Sequence, residues 1–142
     1  MVTVLNAEIF HLMRRLMQAH TAVWQAVLPE LTKPQYAVLR AIAEQPGIEQ
    51  FLLVEAAASS KATLAELLNR LEQRGVITRR QDPADKRRRF VSLTKTGQQL
   101  LQNGLVEASN TDGFFLDRLS KAERAELHRL LQKMMPEATN TQ

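Results

Sequence analysis

The sequence predicts a mainly α fold that carries one small β-hairpin, and three observations support that prediction. Apolar residues recur at helical spacing over most of the chain, most clearly at Leu64, Leu67, Leu68 and Leu71. These fall at i, i+3, i+4 and i+7, which gives a helix one apolar stripe and one free face. One interval breaks that period: residues 76–81 and 89–93 read as short strands around an Asp82-Pro83 turn. The length, 142 residues, suits one domain with a single core.

Each element has its own signal. Residues 6–28 place Ile9, Leu12, Leu16, Met17, Val23 and Val27 on one helical face, up to Pro29, which ends the helix or opens the turn after it. That face is longer than a small domain covers from within, so part of it is expected to meet another subunit. Thr32 and Gln35 form a T-x-x-Q capping box, with Leu31 and Tyr36 at staple positions and Pro34 in the first turn. Tyr36, Leu39 and Ile42 or Ala43 then face the core until Gln45-Pro46-Gly47 stops the helix. Residues 48–57 are expected to form one helix with Phe51 or Leu52, Val54 and Ala57 inward, followed by a turn at Ala58-Ser59. Ser59 or Ser60 caps the leucine-striped helix, and Gly75 closes it in the left-handed conformation. After the hairpin, Thr94 caps a helix through Leu100, Leu101 and Leu105 that the stretch 110–113 is expected to bend or interrupt. Ser120 and Glu123 cap a last helix with Leu127, Leu130, Leu131 and Met134 on one face, ending at Pro136, with residues 137–142 frayed.

Charge points to an anionic partner at a definite place. The formal net charge is +4, and the excess is concentrated between Arg70 and Lys95. Arg79, Arg80, Lys86, Arg87, Arg88 and Arg89 face only Asp82 and Asp85 in the same interval, an imbalance that repels itself unless an anion is near. A helix with a free polar face followed at once by a basic hairpin suits double-stranded DNA. The helix fits the major groove, where base edges differ, and long cations on the hairpin reach phosphate or the minor groove. On the free face, Lys61 can bind guanine or phosphate, Thr63 can touch a thymine methyl or a phosphate, and Glu66 can accept from cytosine. Asn69 and Arg70 continue that face, and Ser59 and Ser60 lead into it.

Other function classes find little support. There are no cysteines, which excludes thiol-based redox sensing and any Cys-ligated zinc site. His11, His20 and His128 form no metal-binding spacing, no phosphate loop or nucleophile elbow is present, and no cofactor or catalysis is expected. No apolar run approaches the roughly 20 residues that cross a bilayer. The first residues lack the basic start and apolar stretch of a signal peptide, so a cytoplasmic location is expected.

The stretch DPADKRRRFVSLTKTG, residues 82–97, resembles the wing of MarR-type winged helix-turn-helix regulators, with Asp-Pro, then Asp-Lys-Arg, then Val-x-Leu-Thr-x-x-Gly. RLEQRGVITR, residues 70–79, is similar to that family's recognition-helix end and first wing strand, and LTKPQYAVLRAIAEQPG, residues 31–47, to its second helix. The resemblance implies a DNA-binding part at 31–97 and helical dimerisation parts at 1–30 and 98–142. It implies a homodimer acting as a transcription regulator, most simply a repressor, on a palindromic operator. It assigns Arg87 to the minor groove and gives Asp85 the task of holding that arginine or the loop; beside it, Lys86, Arg88 and Arg89 are expected to contact phosphate, and Arg74, Arg79 and Arg80 to contact phosphate or form surface ion pairs. Where the family often has a hydroxyl residue and an arginine, this chain has Ala65 and Glu66. A non-specific or architectural DNA binder, or a protein-interaction module on the same fold, therefore stands beside the sequence-specific reading. Family members of this kind often bind small aromatic acids between the dimer helices and the winged domain. His11, Arg15, Met17, His20, Trp24 and Tyr36 offer ring, cation and apolar surface in that region.

Overall fold

The computed structural model describes residues 3–58 and 60–136. The expected fraying of 137–142, and any role of Ser59, lie outside the described residues. The elements run α1 (Thr3–Asn6), α2 (Ile9–Val27), α3 (Lys33–Glu44), β1 (Ile48–Glu49), a 3-10 turn at Gln50–Leu52, α4 (Leu53–Ala57), α5 (Lys61–Gln73), β2 (Ile77–Gln81), β3 (Arg89–Leu93), α6 (Lys95–Leu116) and α7 (Lys121–Met134).

Helix ends follow their caps. Thr32 Oγ1 accepts from the Gln35 amide at 3.2 Å while Gln35 Oε1 accepts from the Thr32 amide at 3.0 Å, so the capping box of α3 is closed. Ser60 Oγ accepts from the Thr63 amide at 3.2 Å and starts α5. At the other end Gly75 has φ +75°, its amide donates to Glu72 O and the Val76 amide to Leu71 O, a Schellman closure that sends the chain directly into β2.

The core lies under α5. Leu64, Leu68 and Leu71 are buried with Leu31, Val38, Leu39, Ile42, Leu53, Ile77 and Val91, and Leu67 packs at the edge. The stripe read from the leucine spacing is therefore the inner face. α2 packs on α6, and Trp24, buried at its end, donates from Nε1 to Leu31 O at 2.6 Å. This bond ties the N-terminal helix to the entry of α3.

Three expectations are corrected. Residues 48–57 are not one helix: Ile48 and Glu49 pair with Val91 and Phe90 of β3, making a three-stranded antiparallel sheet in the order β1-β3-β2. Gly47, at φ +78°, turns the chain into that pairing and donates its amide to Val91 O. The helix is thereby delayed to Leu53, which takes the inward place expected for Phe51 or Leu52; both of those are exposed. The turn after α4 uses Ala58 at φ +50°, a conformation that costs a residue with a Cβ roughly 1–2 kcal/mol. α6 runs without a break through residues 110–113. Thr111 is buried there and donates its hydroxyl to Glu107 O at 2.9 Å, so packing outweighs local propensity. Finally, the first long helix begins at Ile9, after the separate turn α1. Among the described residues no helix is long and apolar enough to cross a membrane.

Candidate nucleic-acid interface

The outward face of α5 presents Lys61, Ala62, Thr63, Glu66, Asn69 and Arg70, all exposed, because the leucine stripe fixes the helix's rotation on the core. Ala65 is half-buried. Glu66 forms no ion pair among the described residues, so its carboxylate is free on this face. Thr63 Oγ1 accepts from Ser60 Oγ at 3.0 Å, which ties the first turn together. A shallow concavity of about 300 Å³ runs between Thr32 and Gln35 at the start of α3 and Thr63, Glu66 and Arg70 on α5.

Beside this face stands the β2–β3 hairpin, and its tip is held in one shape by side chains accepting from backbone. Asp82 Oδ1 accepts from the Ala84 amide at 2.8 Å, and Asp85 Oδ1 from the Arg87 amide at 3.0 Å. Asp85 also accepts from Arg87 Nε at 3.1 Å and Nη2 at 3.3 Å, so it holds both the arginine and the loop. The Arg87 hydrogen bonds, side chain first and then backbone, draw the Asp85 carboxyl below the usual carboxylate range. Arg87's side chain is nonetheless 91% exposed and aimed into solvent, a cation presented on a fixed stalk.

Lys61, Arg87 and Arg89 line one concavity of about 220 Å³ together with Glu49, Gln50 and Phe51. The start of α5 and the tip of the hairpin are thus neighbours in space. The other hairpin arginines behave differently from one another. Arg88 donates from Nε to Glu49 Oε1 at 2.8 Å and lies over the Phe90 ring at 5.3 Å, so it pins the hairpin to β1. That bond holds its guanidinium even more firmly charged. Lys86 and Arg89 remain exposed. Arg79, read from sequence as a phosphate contact or a surface ion pair, has a side chain only 9% exposed and is bound to Glu72, Asn69 and Gln50. Nothing local in the sequence marks that network, because its partners come from α5 and the 3-10 turn.

The residues expected to bind a small acid divide into two groups. His20, Trp24 and Tyr36 converge, with ring centroids 6.1 Å apart for His20 and Trp24 and 5.2 Å for Trp24 and Tyr36. His11 is half-buried further along α2, Met17 is exposed, and Arg15 donates to Asn6 Oδ1 at 2.8 Å in solvent. Two residues missed by the sequence reading complete the first group. Asp112 Oδ1 accepts from His20 Nε2 at 2.7 Å, and Phe115 lies 5.5 Å from the His20 ring. Both belong to α6, across a sequence gap of 92 residues for Asp112, and the polar run around Asp112 reads as a helix break. A carboxylate only accepts, so Nε2 carries the hydrogen, and His20 Nδ1 is buried without a partner among the described residues. Among the described residues no group of His, Asp or Glu is placed to hold a metal ion.

A capped helix seated on a trihelical core, beside a three-stranded sheet whose hairpin carries the cations, defines a winged helix-turn-helix DNA-binding protein. The MarR family pattern matches residues 31–88, which span α3 to the wing tip. The chain is 55% identical over 131 residues to the transcriptional regulator HosA of Escherichia coli O111:H-, covering 92% of this chain and 97% of HosA. It is similar to the PcaV transcriptional regulator of Streptomyces coelicolor, solved in complex with its natural ligand, with TM-score 0.85 and 35% identity over 91% of this chain and 92% of that one. It is also similar to BpsR of Bordetella bronchiseptica, whose DNA binding is regulated by 6-hydroxynicotinic acid, with TM-score 0.82 and 34% identity over 89% of this chain and 97% of that one. The chain belongs to the MarR family of transcriptional regulators.

Proposed function

We propose that the protein is a cytoplasmic homodimeric repressor that occupies a palindromic operator overlapping a promoter and leaves it when a small aromatic acid binds. The observation that carries this reading is the common placement of the α5 polar face and the Arg87 stalk on one side of the molecule. α5 enters the major groove, with Lys61, Thr63, Glu66, Asn69 and Arg70 toward bases or phosphates and Ser60 in the capping turn that leads in. Arg87 enters the adjacent minor groove, held by Asp85, while Lys86 and Arg89 approach phosphate; Arg88 reaches it only by loosening from Glu49.

Dimerisation is supported by apolar surface that the single chain leaves open. Ile9, Leu12 and Leu16 on α2, Val106 and Phe114 on α6, and Leu130 and Met134 on α7 are all exposed. A two-fold pair would present two copies of α5 about 34 Å apart, one turn of duplex. The acid is expected at the cluster of His20, Trp24 and Tyr36, by analogy with the acid that regulates BpsR and the ligand that PcaV holds. It can act only through unequal affinity for DNA-competent and other spacings of the two helices.

A second reading, non-specific winged-helix binding, is favoured by the free carboxylate of Glu66 on the reading face. Selection of duplexes from a randomised pool, followed by competition with unrelated DNA, separates the two. The repressor reading expects specific binding tighter by ~10³ or more at physiological salt; equal affinity for all duplexes refutes it. Release is tested by titrating the complex with hydroxylated aromatic acids, beginning with 6-hydroxynicotinic acid, and following fluorescence of Trp24, the only tryptophan.

A further inference from the structure

We infer that Arg79 is a positioning residue for DNA recognition: it clamps α5 to the wing and to the turn before α4, and it dictates which hydrogen-bonding group Asn69 offers to DNA. The inference rests on the reading of α5 as the helix that enters the groove. Arg79 sits on β2 opposite Val91 of β3, and its guanidinium reaches the exposed flank of α5 at Asn69 and Glu72. Nε donates to Glu72 Oε2 at 3.3 Å, Nη2 to Glu72 Oε1 at 3.1 Å and to Asn69 Oδ1 at 2.6 Å, and Nη1 to Gln50 Oε1 at 3.4 Å. All three guanidinium nitrogens are thereby used within the chain. With its side chain 9% exposed, Arg79 has no face left for a phosphate.

The arrangement constrains rotation. Asn69 and Glu72 stand one turn apart on the same flank of α5, so two attachments to one rigid planar group resist rolling of the helix about its axis. A recognition helix has to be held within about 0.5 Å and 10–20° to meet base edges, and the Arg79 bonds add to the rotational hold of the leucine stripe. Gln50 extends the clamp to the turn that leads into α4. Helix, strand and turn then move as one body.

The same bonds decide the chemistry of Asn69. A guanidinium has donors and no acceptor, so the amide must turn its oxygen inward and its NH2 outward. Asparagine reads adenine by using both atoms at once. Asn69, with its oxygen turned to Arg79 and its NH2 outward, presents a donor to DNA and does not set both atoms against one adenine edge. Its partners are therefore acceptors: a phosphate oxygen, or guanine O6 and N7.

The test measures dissociation constants across a salt series on a duplex that the full-length wild-type protein has selected from a randomised pool. Arg79→Met is expected to weaken binding by roughly tenfold or more, the size of a lost base contact, with the slope of log K against log salt unchanged. Arg79→Lys should not rescue, because an ammonium cannot bridge three partners at fixed angles. A slope reduced by about 0.9 and rescue by lysine would mean a phosphate contact and overturn the inference, as would unchanged affinity. Glu72→Gln keeps the fold independent of that variant and separates two signs. It removes a negative charge near DNA, so electrostatics alone predict tighter binding, whereas loss of the clamp predicts weaker binding; tighter or unchanged binding overturns the inference. Asn69→Ala should lose a guanine preference or, for a phosphate contact, affinity for every duplex alike with the salt slope unchanged, since a neutral amide releases no counterion. Loss of an adenine preference, or no change in either, overturns the amide assignment. If the wild type selects no duplex, the functional reading itself fails, and that result is distinct from all of these.

Discussion

Gly97→Ala probes how the wing is joined to the recognition helix. Gly97 lies in the first turn of α6, and a Cβ built on it would stand 2.0 Å from Val76 O and 2.9 Å from the Val76 carbonyl carbon. Carbon and carbonyl oxygen ordinarily approach no closer than about 3.3 Å, so the backbone must open by more than an ångström. Val76 has nowhere to go. Its amide donates to Leu71 O at the end of α5, its carbonyl accepts from Thr94 N at 3.0 Å, and its side chain is buried. The Thr94 hydroxyl adds a third tie, donating to Gly75 O at 2.6 Å while accepting from Gly97 N at 3.0 Å. Overpacking a core costs about 1–3 kcal/mol, and a clash with backbone, which has no alternative rotamer, belongs near the upper end. At about 3 °C per kcal/mol for a chain of this size, the melting temperature should fall by roughly 6–10 °C. Differential scanning calorimetry at fixed protein concentration measures this. The paired control is Gly113→Ala, where a Cβ meets nothing closer than 3.7 Å in a helix interior, and where the substitution should stabilise by about 0.5–1 kcal/mol. If Gly97→Ala melts with the wild type, the packing of α6 on the base of the wing is wrong. The glycine of the Leu-Thr-x-x-Gly signature would then lack the reason given for it.

Three further outcomes follow from the same geometry. Arg87→Ala should weaken binding to the selected duplex by about 1–3 kcal/mol, or roughly five- to 150-fold, without moving the melting temperature; an unchanged dissociation constant at fixed salt removes Arg87 from the interface. Leu68→Ala, at a fully buried position in the core, should cost ~2–5 kcal/mol by leaving a cavity, and an unmoved denaturation midpoint would contradict the assigned inner face. The Arg79 hydrogen bond holds the Glu72 carboxyl below its ordinary value, so its contribution is present above the unfolded-state value and is lost as pH falls through the folded one. The stability gap between wild type and Glu72→Gln should therefore be full at neutral pH and close in acid; a gap that widens in acid would refute the pairing.

What was legible in the sequence was local. The capping boxes at Thr32 and Ser120, the leucine stripe of α5 and the left-handed Gly75 each depend on residues within a turn of one another, and each is found as read. The cationic hairpin was visible as a charge imbalance, and the bracing of Arg87 by Asp85 lies two residues away. Pairings between distant residues were not legible. Ile48 joins a sheet only because β3 is waiting for it, which no helical period around Phe51 and Leu52 reveals. α6 stays continuous through Asp112, where Thr111 is buried and bonded, and this same continuity brings Asp112 and Phe115 to His20. Arg79 looked like one more surface cation; its burial follows from Glu72, Asn69 and Gln50 arriving from two other elements.

Operator recognition as proposed depends most on two copies of the α5 and wing unit being held at the pitch of duplex DNA. A hydroxyl-radical footprint on the selected duplex, made with the wild-type protein at known stoichiometry, addresses this directly. Two chains per duplex should protect two symmetry-related patches on one face, with centres about one helical turn, roughly 34 Å, apart. A single protected patch from one bound chain, or continuous protection without a two-fold centre, would contradict it.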